Sequence, residues 1–335
     1  MAPSIASLRL AKIASSVFAR SRDGLVERLR SRPGLAERVV VLPRLVPSRS
    51  ARARLYRTFS WPLIDHLRPQ LEISSVGGKL VVDTGDVVGR VLTASGVWEP
   101  HVTEAFRARL GAGAVCVDVG AHVGYYTLLA AKLVGPGGKV YAFEPSPRVY
   151  RALEQNLARN DVTNVTALNV AAGAGCSTGT LYELAEGSSG NSSLSPRLLD
   201  SPHGGTADEY VSVEVEICAA DSRVPPEELT RVRMIKIDVE GYEVEALRGV
   251  ERILAAGSPI AVIVELSPDW SLDPPAPFVE DLCRRHGLTP YRLVNEYSLD
   301  GYFPARIQAP VPIAAIPTGR CDLLLARSST EPAAK

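Results

Sequence analysis

Five carboxylates stand where a chain of this kind would do chemistry. Asp118 lies in VCVDVG, Glu144 closes VYAFEP, Asp238 and Glu240 follow VRMIKI, and Glu265 ends IAVIVEL. Each belongs to an apolar run and precedes a turn or a helix. Such acids can hold the two hydroxyls of a ribose, attract an ammonium group, take a proton from an alcohol, or together ligate a hard cation such as Mg²⁺. Any one of them alone reads as a helix cap or a surface acid. Four strand ends sharing the pattern argue that the acids converge on one rim. Lys236 sits inside one of these apolar runs. A buried lysine needs a carboxylate partner, expected here on a neighbouring strand.

The elements that must position these residues follow from periodicity and breaks. Val115 to Pro145 reads as strand, glycine turn, helix (Tyr125 to Val134) and strand, the length of one βαβ unit. Ser146 and Pro147 open the next helix, with Tyr150, Leu153 and Leu157 on its apolar side and Asn160 at its end. Strands are expected at Asn164–Val170, Val211–Ile217, Val232–Val239, Ile260–Leu266, Thr289–Val294 and Cys321–Ala326, and helices at Glu99–Leu110, Glu243–Ala255 and Phe278–His286. Upstream, Lys79–Asp83 and Val87–Thr93 read as a hairpin or meander punctuated by Gly77, Gly78 and Gly85. Alternating strands and helices, with near-continuous apolar strands, argue a doubly wound α/β sheet. Its ligands bind beyond the carboxyl ends of the strands.

The turn after the first of these strands runs Asp118, Val119, Gly120, Ala121, His122, Val123, Gly124. A dinucleotide fingerprint would need a third, middle glycine, which disfavours an NAD-linked dehydrogenase. An acid ahead of the turn suits a ligand carrying an ammonium group, and S-adenosylmethionine (SAM) offers one. Asp118 would take its ammonium end and Glu144 its ribose. The backbone of Gly120, Ala121, His122 and Gly124, with the helix N-terminus, would take the carboxylate. The turn carrying Asn169 and Ala171 would take the adenine. Asp238 is the first choice for a base that deprotonates an acceptor hydroxyl, with Glu240 and Glu265 as alternates. The same three acids are also the candidate Mg²⁺ ligands. Trp270 and Tyr297 are placed to stack on a sugar or apolar substrate, or simply to pack their loops.

DVGAHVGYYTLLAA, VYAFEPSP, NLARNDVTNV and, above all, IKIDVEGYEVEALRGV resemble the FkbM family of SAM-dependent methyltransferases, as do GVWEPHVTEAF and NSSLS. The resemblance runs from about Gly96 to Ser267. It implies a Rossmann-like class I methyltransferase fold, with seven strands of which the last is antiparallel. It also implies O-methylation of a hydroxyl on a sugar or secondary metabolite, so the expected partner is a small-molecule or glycan acceptor. The family's cofactor positions fall on Asp118, Gly120, Gly124 and Glu144, while His122 stands where the family often has Asn. A non-catalytic SAM-binding or assembly protein is the competing reading.

Net charge is zero overall but unevenly divided. Residues 1–60 hold 13 Lys and Arg against 3 Asp and Glu, and the remainder holds 24 against 34. The expected organisation is therefore a basic, partly helical extension over 1–70, a methyltransferase domain over 71–327 and a disordered tail over 328–335. Leu10, Ile13, Ala14, Val17 and Phe18 fall on one helical face, opposite Arg9, Lys12, Ser16 and Arg20. That face could pack on the core or dock peripherally on an anionic membrane. The scarcity of aromatics among the arginines argues against nucleic acid. Arg9 and Lys12 interrupt any secretory apolar region, and a cytoplasmic location is expected. The Gly-, Ser- and Pro-rich stretch over 185–210 reads as a lid over a ligand or a flexible insertion. The five cysteines are widely spaced and fit reduced, buried thiols better than disulfides or a zinc site.

Overall fold

The computed structural model describes residues 22–46, 48–64, 67, 69–185, 192–200, 209–298, 301–302 and 306–327. The amphipathic pattern at Leu10–Phe18, most of the 185–210 stretch and the tail after Arg327 lie outside them. The chain divides into two compact units. One comprises the chain up to Val76, Leu80–Pro100 and Glu296–Ile307; the other comprises Gly77–Lys79, His101–Asn295 and the chain from Gln308 onward. Among the described residues, no helix is long and apolar enough to cross a membrane.

In the first unit, helices α1 (Arg22–Arg30), α2 (Pro33–Val40), α3 (Arg49–Leu55) and α4 (Trp61–Ile64) bury Val26, Leu29, Ala36, Val40, Leu55, Phe59, Leu63 and Ile64 against one another. Arg28, Arg30, Arg38 and Arg54 face outward, so the basic character of this segment is a solvated surface around a small apolar core. Strands β1 (Gln70–Ser74) and β2 (Lys79–Asp83) pair with each other. The strand expected at Val87–Thr93 is instead helix α5, Val87–Ser95. The β-branched valines and threonine favour a strand only weakly. Asp86 caps the helix by accepting from the Val88 N–H at 3.1 Å, and Gly96 ends it in the left-handed conformation (φ 75°).

The second unit opens with helix α6 (Pro100–Arg109) and builds one large sheet from β3 (Val115–Val119), β4 (Lys139–Phe143) and β5 (Val165–Leu168). A small sheet follows, made of β6 (Ala171–Ala172), β7 (Ser177–Leu184) and β8 (Tyr210–Cys218), in the order β6-β8-β7. The large sheet continues with β9 (Val232–Ile237), β10 (Ile260–Leu266), β11 (Thr289–Leu293), the two-residue β12 (Val311–Pro312) and β13 (Cys321–Arg327). Its order is β12-β11-β13-β10-β9-β3-β4-β5. Strands β5, β4, β3, β9 and β10 run parallel, and β13 inserts antiparallel between β10 and β11. This is the class I methyltransferase arrangement, with the last strand antiparallel and β12 added at the edge.

Helices α7 (Tyr125–Val134), α8 (Pro147–Arg159), α9 (Glu243–Arg248), α10 (Glu251–Ala255) and α11 (Pro275–His286) cover the sheet. Period-two alternation sends Val117, Val119, Phe143, Ile235, Ile237, Val262 and Val264 to one face, where they meet Leu247, Leu254, Val279 and Leu282. Ala142 faces the other way, onto Leu153 of α8. Burying each of these aliphatic side chains is worth about 1.5–3 kcal/mol, which makes the strand ends rigid supports. The helix expected over Glu243–Ala255 breaks in two at Gly249. A Cβ there would lie 2.2 Å from the Gly173 carbonyl oxygen, so the backbone of the β6 region passes against the helix.

Candidate active site

The carboxyl ends of β3 and β4 form one half of the rim. Asp118 is buried between β4 and β9, in register with Ala142 and Lys236. Its Oδ2 accepts from the Thr127 hydroxyl at 2.6 Å, while its Oδ1 is buried with no hydrogen-bond partner among the described residues. Burial raises the Asp118 pKa, opposed by the Lys236 charge and the Thr127 bond. Beyond the strand, the Gly120 and Ala121 N–H groups both donate to the Phe143 carbonyl, at 3.0 and 2.9 Å. Gly120 has φ 79°, and a Cβ there would fall 1.9 Å from the Asp238 carbonyl oxygen. The glycine is therefore required by the neighbouring strand's turn. Gly124, at φ 94°, precedes α7, whose first turn has no side-chain cap. The dipole of that helix favours an anion at this end.

Glu144 is buried and doubly held. Its Oε2 accepts from the His122 N–H at 2.9 Å, and its Oε1 from the Ser146 N–H at 3.0 Å. Burial pushes its pKa up to about 7, against those two bonds, with Glu183 and Asp118 adding to the rise. Each oxygen keeps lone-pair capacity for a further donor. Asn169 is exposed, and its amide nitrogen donates to the Glu144 and Pro145 carbonyls at 2.8 and 2.9 Å. It fixes the loop that presents Glu144. Ala171 is buried with Leu181, Val215 and Ile217 in the small sheet, where it supplies packing.

The ends of β9 and β10 form the other half. The Lys236 ammonium donates to Asp238 Oδ2 at 2.7 Å and lies 4.9 Å from the Tyr126 ring centroid. The bonded partner expected on a neighbouring strand is instead two residues along the same segment, because strand periodicity puts i and i+2 on one face. Asp118, on the neighbouring strand, receives a through-space share of that charge. Burial raises the Asp238 pKa, but Lys236, Arg320 and His122 together outweigh it and hold the acid below its ordinary value. Asp238 is thereby kept ionised and weakly basic.

Glu240 is the opposite case. Burial, then the Glu265 and Asp238 charges, push its pKa well up, opposed by Arg320. Its Oε2 faces the Ser267 hydroxyl at 3.4 Å and its Oε1 the Arg320 guanidinium at 3.6 Å. Arg320 also binds the buried Glu265 at 2.5 Å and stacks 5.4 Å from the Trp270 ring centroid. One guanidinium therefore bridges two of the three acids considered as metal ligands, while Lys236 neutralises the third. Next along the chain, Glu243 is buried, accepts from the Gly241 N–H at 2.7 Å, and has its pKa pushed up to about 7, chiefly by burial. His122 (φ 51°) and Glu240 (φ 48°) hold left-handed backbones in the turns after β3 and β9. Such conformations are costly for residues other than glycine and gather at functional sites.

A protein-family model, the Methyltransferase FkbM domain, matches residues 118–287. The chain belongs to this family. The chain is 34% identical over 166 residues to methyltransferase sdnD of Sordaria araneosa, covering 43% of this chain and 63% of that protein. It is 26% identical over 202 residues to the hexuronic acid methyltransferase AglP of Haloferax volcanii, covering 58% of this chain and 72% of AglP. It is also 29% identical over 157 residues to the 31-O-demethyl-FK506 methyltransferase FkbM of Streptomyces tacrolimicus, covering 42% of this chain and 60% of that enzyme. The chain thus spans less than two thirds of the length of the Sordaria and Streptomyces relatives.

The FkbM match contains both halves of the rim, from Asp118 to Glu265, and stops before Arg320. Sequence reasoning missed Arg320, which lies in an irregular stretch just ahead of β13. Only the antiparallel pairing of Glu265 with Asp322 brings it to the acids. Trp270 is buried under Arg320. Tyr297, in the first unit, is 41% exposed and donates to Glu99 at 2.6 Å. In the 185–210 stretch, the described part is not a loose insertion. The Ser193 and Ser195 hydroxyls are buried and donate to the Glu240 and Trp270 carbonyls, and Arg197 donates to the Ser271 carbonyl at 2.6 Å. Four of the five cysteines are buried free thiols, and Cys176 is exposed.

Proposed function

We propose that this chain is a SAM-dependent O-methyltransferase acting on a hydroxyl of a sugar or secondary metabolite. One observation carries the reading. A partly buried glutamate of raised proton affinity, Glu240, stands beside the rim that carries Asp118 and the start of α7, which has no side-chain cap. The polar groups fit the cofactor: Asp118 Oδ1 suits an ammonium group directly or through water, the α7 N-terminus a carboxylate, and Glu144 a ribose diol. When bound, SAM supplies an activated methyl group that needs only in-line displacement.

What remains for the chain is alignment and proton removal. Alignment of two reactants can be worth about 7–11 kcal/mol. The second requirement falls to Glu240 in preference to Asp238. A general base works best with a pKa near the operating pH, and Asp238 is held low by Lys236 whereas Glu240 is held high. Glu240 in its ionised form then takes the hydroxyl proton and becomes neutral, while Arg320 orients it and pairs with the charge that stays on Glu265. With Arg320 and Lys236 already neutralising these acids, the reading uses no Mg²⁺. The hexuronic acid and 31-O-demethyl-FK506 substrates named for two relatives support a hydroxylated acceptor.

Glu240→Gln should keep S-adenosylhomocysteine affinity and lose about 10²–10⁴-fold in turnover on a hydroxylated acceptor. Calorimetry and single-turnover methyl transfer read the two quantities separately. Retained turnover removes Glu240 as the base, and loss of binding by the wild-type chain removes the cofactor reading.

A further inference from the structure

Strand β7 carries an acid that the proposed chemistry leaves unused. Its inward face is Leu181, packed with Ala171, Val215 and Ile217, and then Glu183. Alternation thus places a carboxylate where a strand of this kind would carry another apolar side chain. Glu183 is 6% exposed. Among the described residues, its Oε2 is buried with no hydrogen-bond partner, and its Oε1 sees the Arg148 guanidinium at 4.0 Å. That arginine is 42% exposed and also reaches the Leu184 carbonyl, at 3.5 Å. Burying a carboxylate without a donor is costly, so the position points to a donor that arrives with a ligand.

Its location says which ligand. Arg148 lies in the first turn of α8, which begins just after the Glu144–Ser146 loop, and the Glu183 charge acts on Glu144 itself. Asn169, two residues before β6, clamps that same loop. Glu183 therefore lies near the ribose acid and the start of α8, and an adenosyl group held through its ribose by Glu144 would extend its base from there. With its ammonium at the far end and its ribose diol on Glu144, an adenosyl cofactor has one further strong donor, the amino group at C6 of adenine. We propose that Glu183 accepts a hydrogen bond from this amino group and so selects adenine over a base with a C6 carbonyl. The inference rests on the SAM reading above. Its chemistry is discriminating because a carbonyl oxygen would meet the carboxylate oxygen to oxygen.

The test is calorimetric binding of S-adenosylhomocysteine and S-inosylhomocysteine to the full chain, which differ at C6 as donor against acceptor. The wild-type chain should prefer the adenosyl ligand by about tenfold or more, the scale of one charge-assisted hydrogen bond. Glu183→Gln, whose amide can donate to a carbonyl, should erase or invert that preference. Glu183→Asp, which keeps the charge on a shorter arm, should fall between and serves if the first variant does not fold. Arg148→Ala should leave the preference intact. An unchanged preference in Glu183→Gln overturns the proposal, as does loss of the preference in Arg148→Ala, which would make Glu183 half of a structural ion pair. If the wild-type chain binds neither ligand, the cofactor reading falls and this one with it. If it binds both equally, only this one falls.

Discussion

The two halves of the rim hold their acids by different means. On the β3–β4 side, Asp118 and Glu144 are held by a hydroxyl and two backbone N–H groups, all neutral. On the β9–β10 side, Asp238, Glu240 and Glu265 are held largely by two cations, Lys236 and Arg320. Neutral donors leave a buried acid with raised proton affinity and spare acceptor capacity, which is what a binding pocket wants. Cations separate neighbouring acids in basicity: Asp238 is pulled down while Glu240 stays up. Pairs of titratable groups pushed apart in this way mark acid–base assignments. On the proposed function, the contrast divides one rim into a part that binds and a part that reacts.

Removing a cation should damage the reacting half most. Lys236→Met removes the bonded counter-charge of Asp238, which is partly exposed and keeps Arg320 nearby, and should cost about 1–3 kcal/mol of unfolding free energy. The double change Lys236→Met with Asp238→Asn should recover most of it. Denaturant titration checks both, and a stability-neutral Lys236→Met would mean that the pair is not a unit.

The raised acids predict a pH dependence of the ligand-free chain. Glu144 and Glu243 have pKa values of about 7 when folded against 4.5 otherwise, so the folded state binds their protons more tightly. Their contribution is fully present below pH 4.5 and is lost as pH rises through about 7. Each is worth up to about 3 kcal/mol. Glu243→Gln should remove its share of that slope, measured as the difference in unfolding free energy between wild type and variant across this window. A difference that does not change with pH would show that burial does not hold the proton there.

The smallest effect belongs to the binding half. Asp118→Asn keeps an acceptor for Thr127 and removes a buried charge, so the ligand-free chain should lose no stability. S-adenosylhomocysteine affinity should fall about tenfold, the loss of one charge-assisted contact. A destabilised variant with unchanged affinity would reverse the roles assigned to the two halves.

How much of this was legible depended on whether a residue's partner lay along the chain or across it. The strand ends could be read because buried parallel strands are continuous apolar runs and their acids interrupt them. The Asp238 partner of Lys236 was also legible, two residues away on the same strand face, although a buried cation first suggests a partner across the sheet. Helix α5 carried its own signal in Asp86 and Gly96, yet its valines pointed to a strand. The small sheet was hidden because β7, STGTLYEL, has polar and glycine positions where alternation should be apolar. Arg320 left no local trace. It reaches the acids only through an antiparallel strand more than fifty residues beyond Glu265.

Gly120 joins the two halves. Its bare backbone lies against the Asp238 carbonyl, and the Asp238 N–H donates to the Val119 carbonyl at 3.1 Å. The spacing between the turns after β3 and β9 is therefore a main-chain dimension, the width of one peptide contact where a methyl group cannot fit. Loops that choose the acceptor can be exchanged around such a joint without re-machining it. A lineage built this way can change what it recognises while leaving untouched the spacing of the two turns.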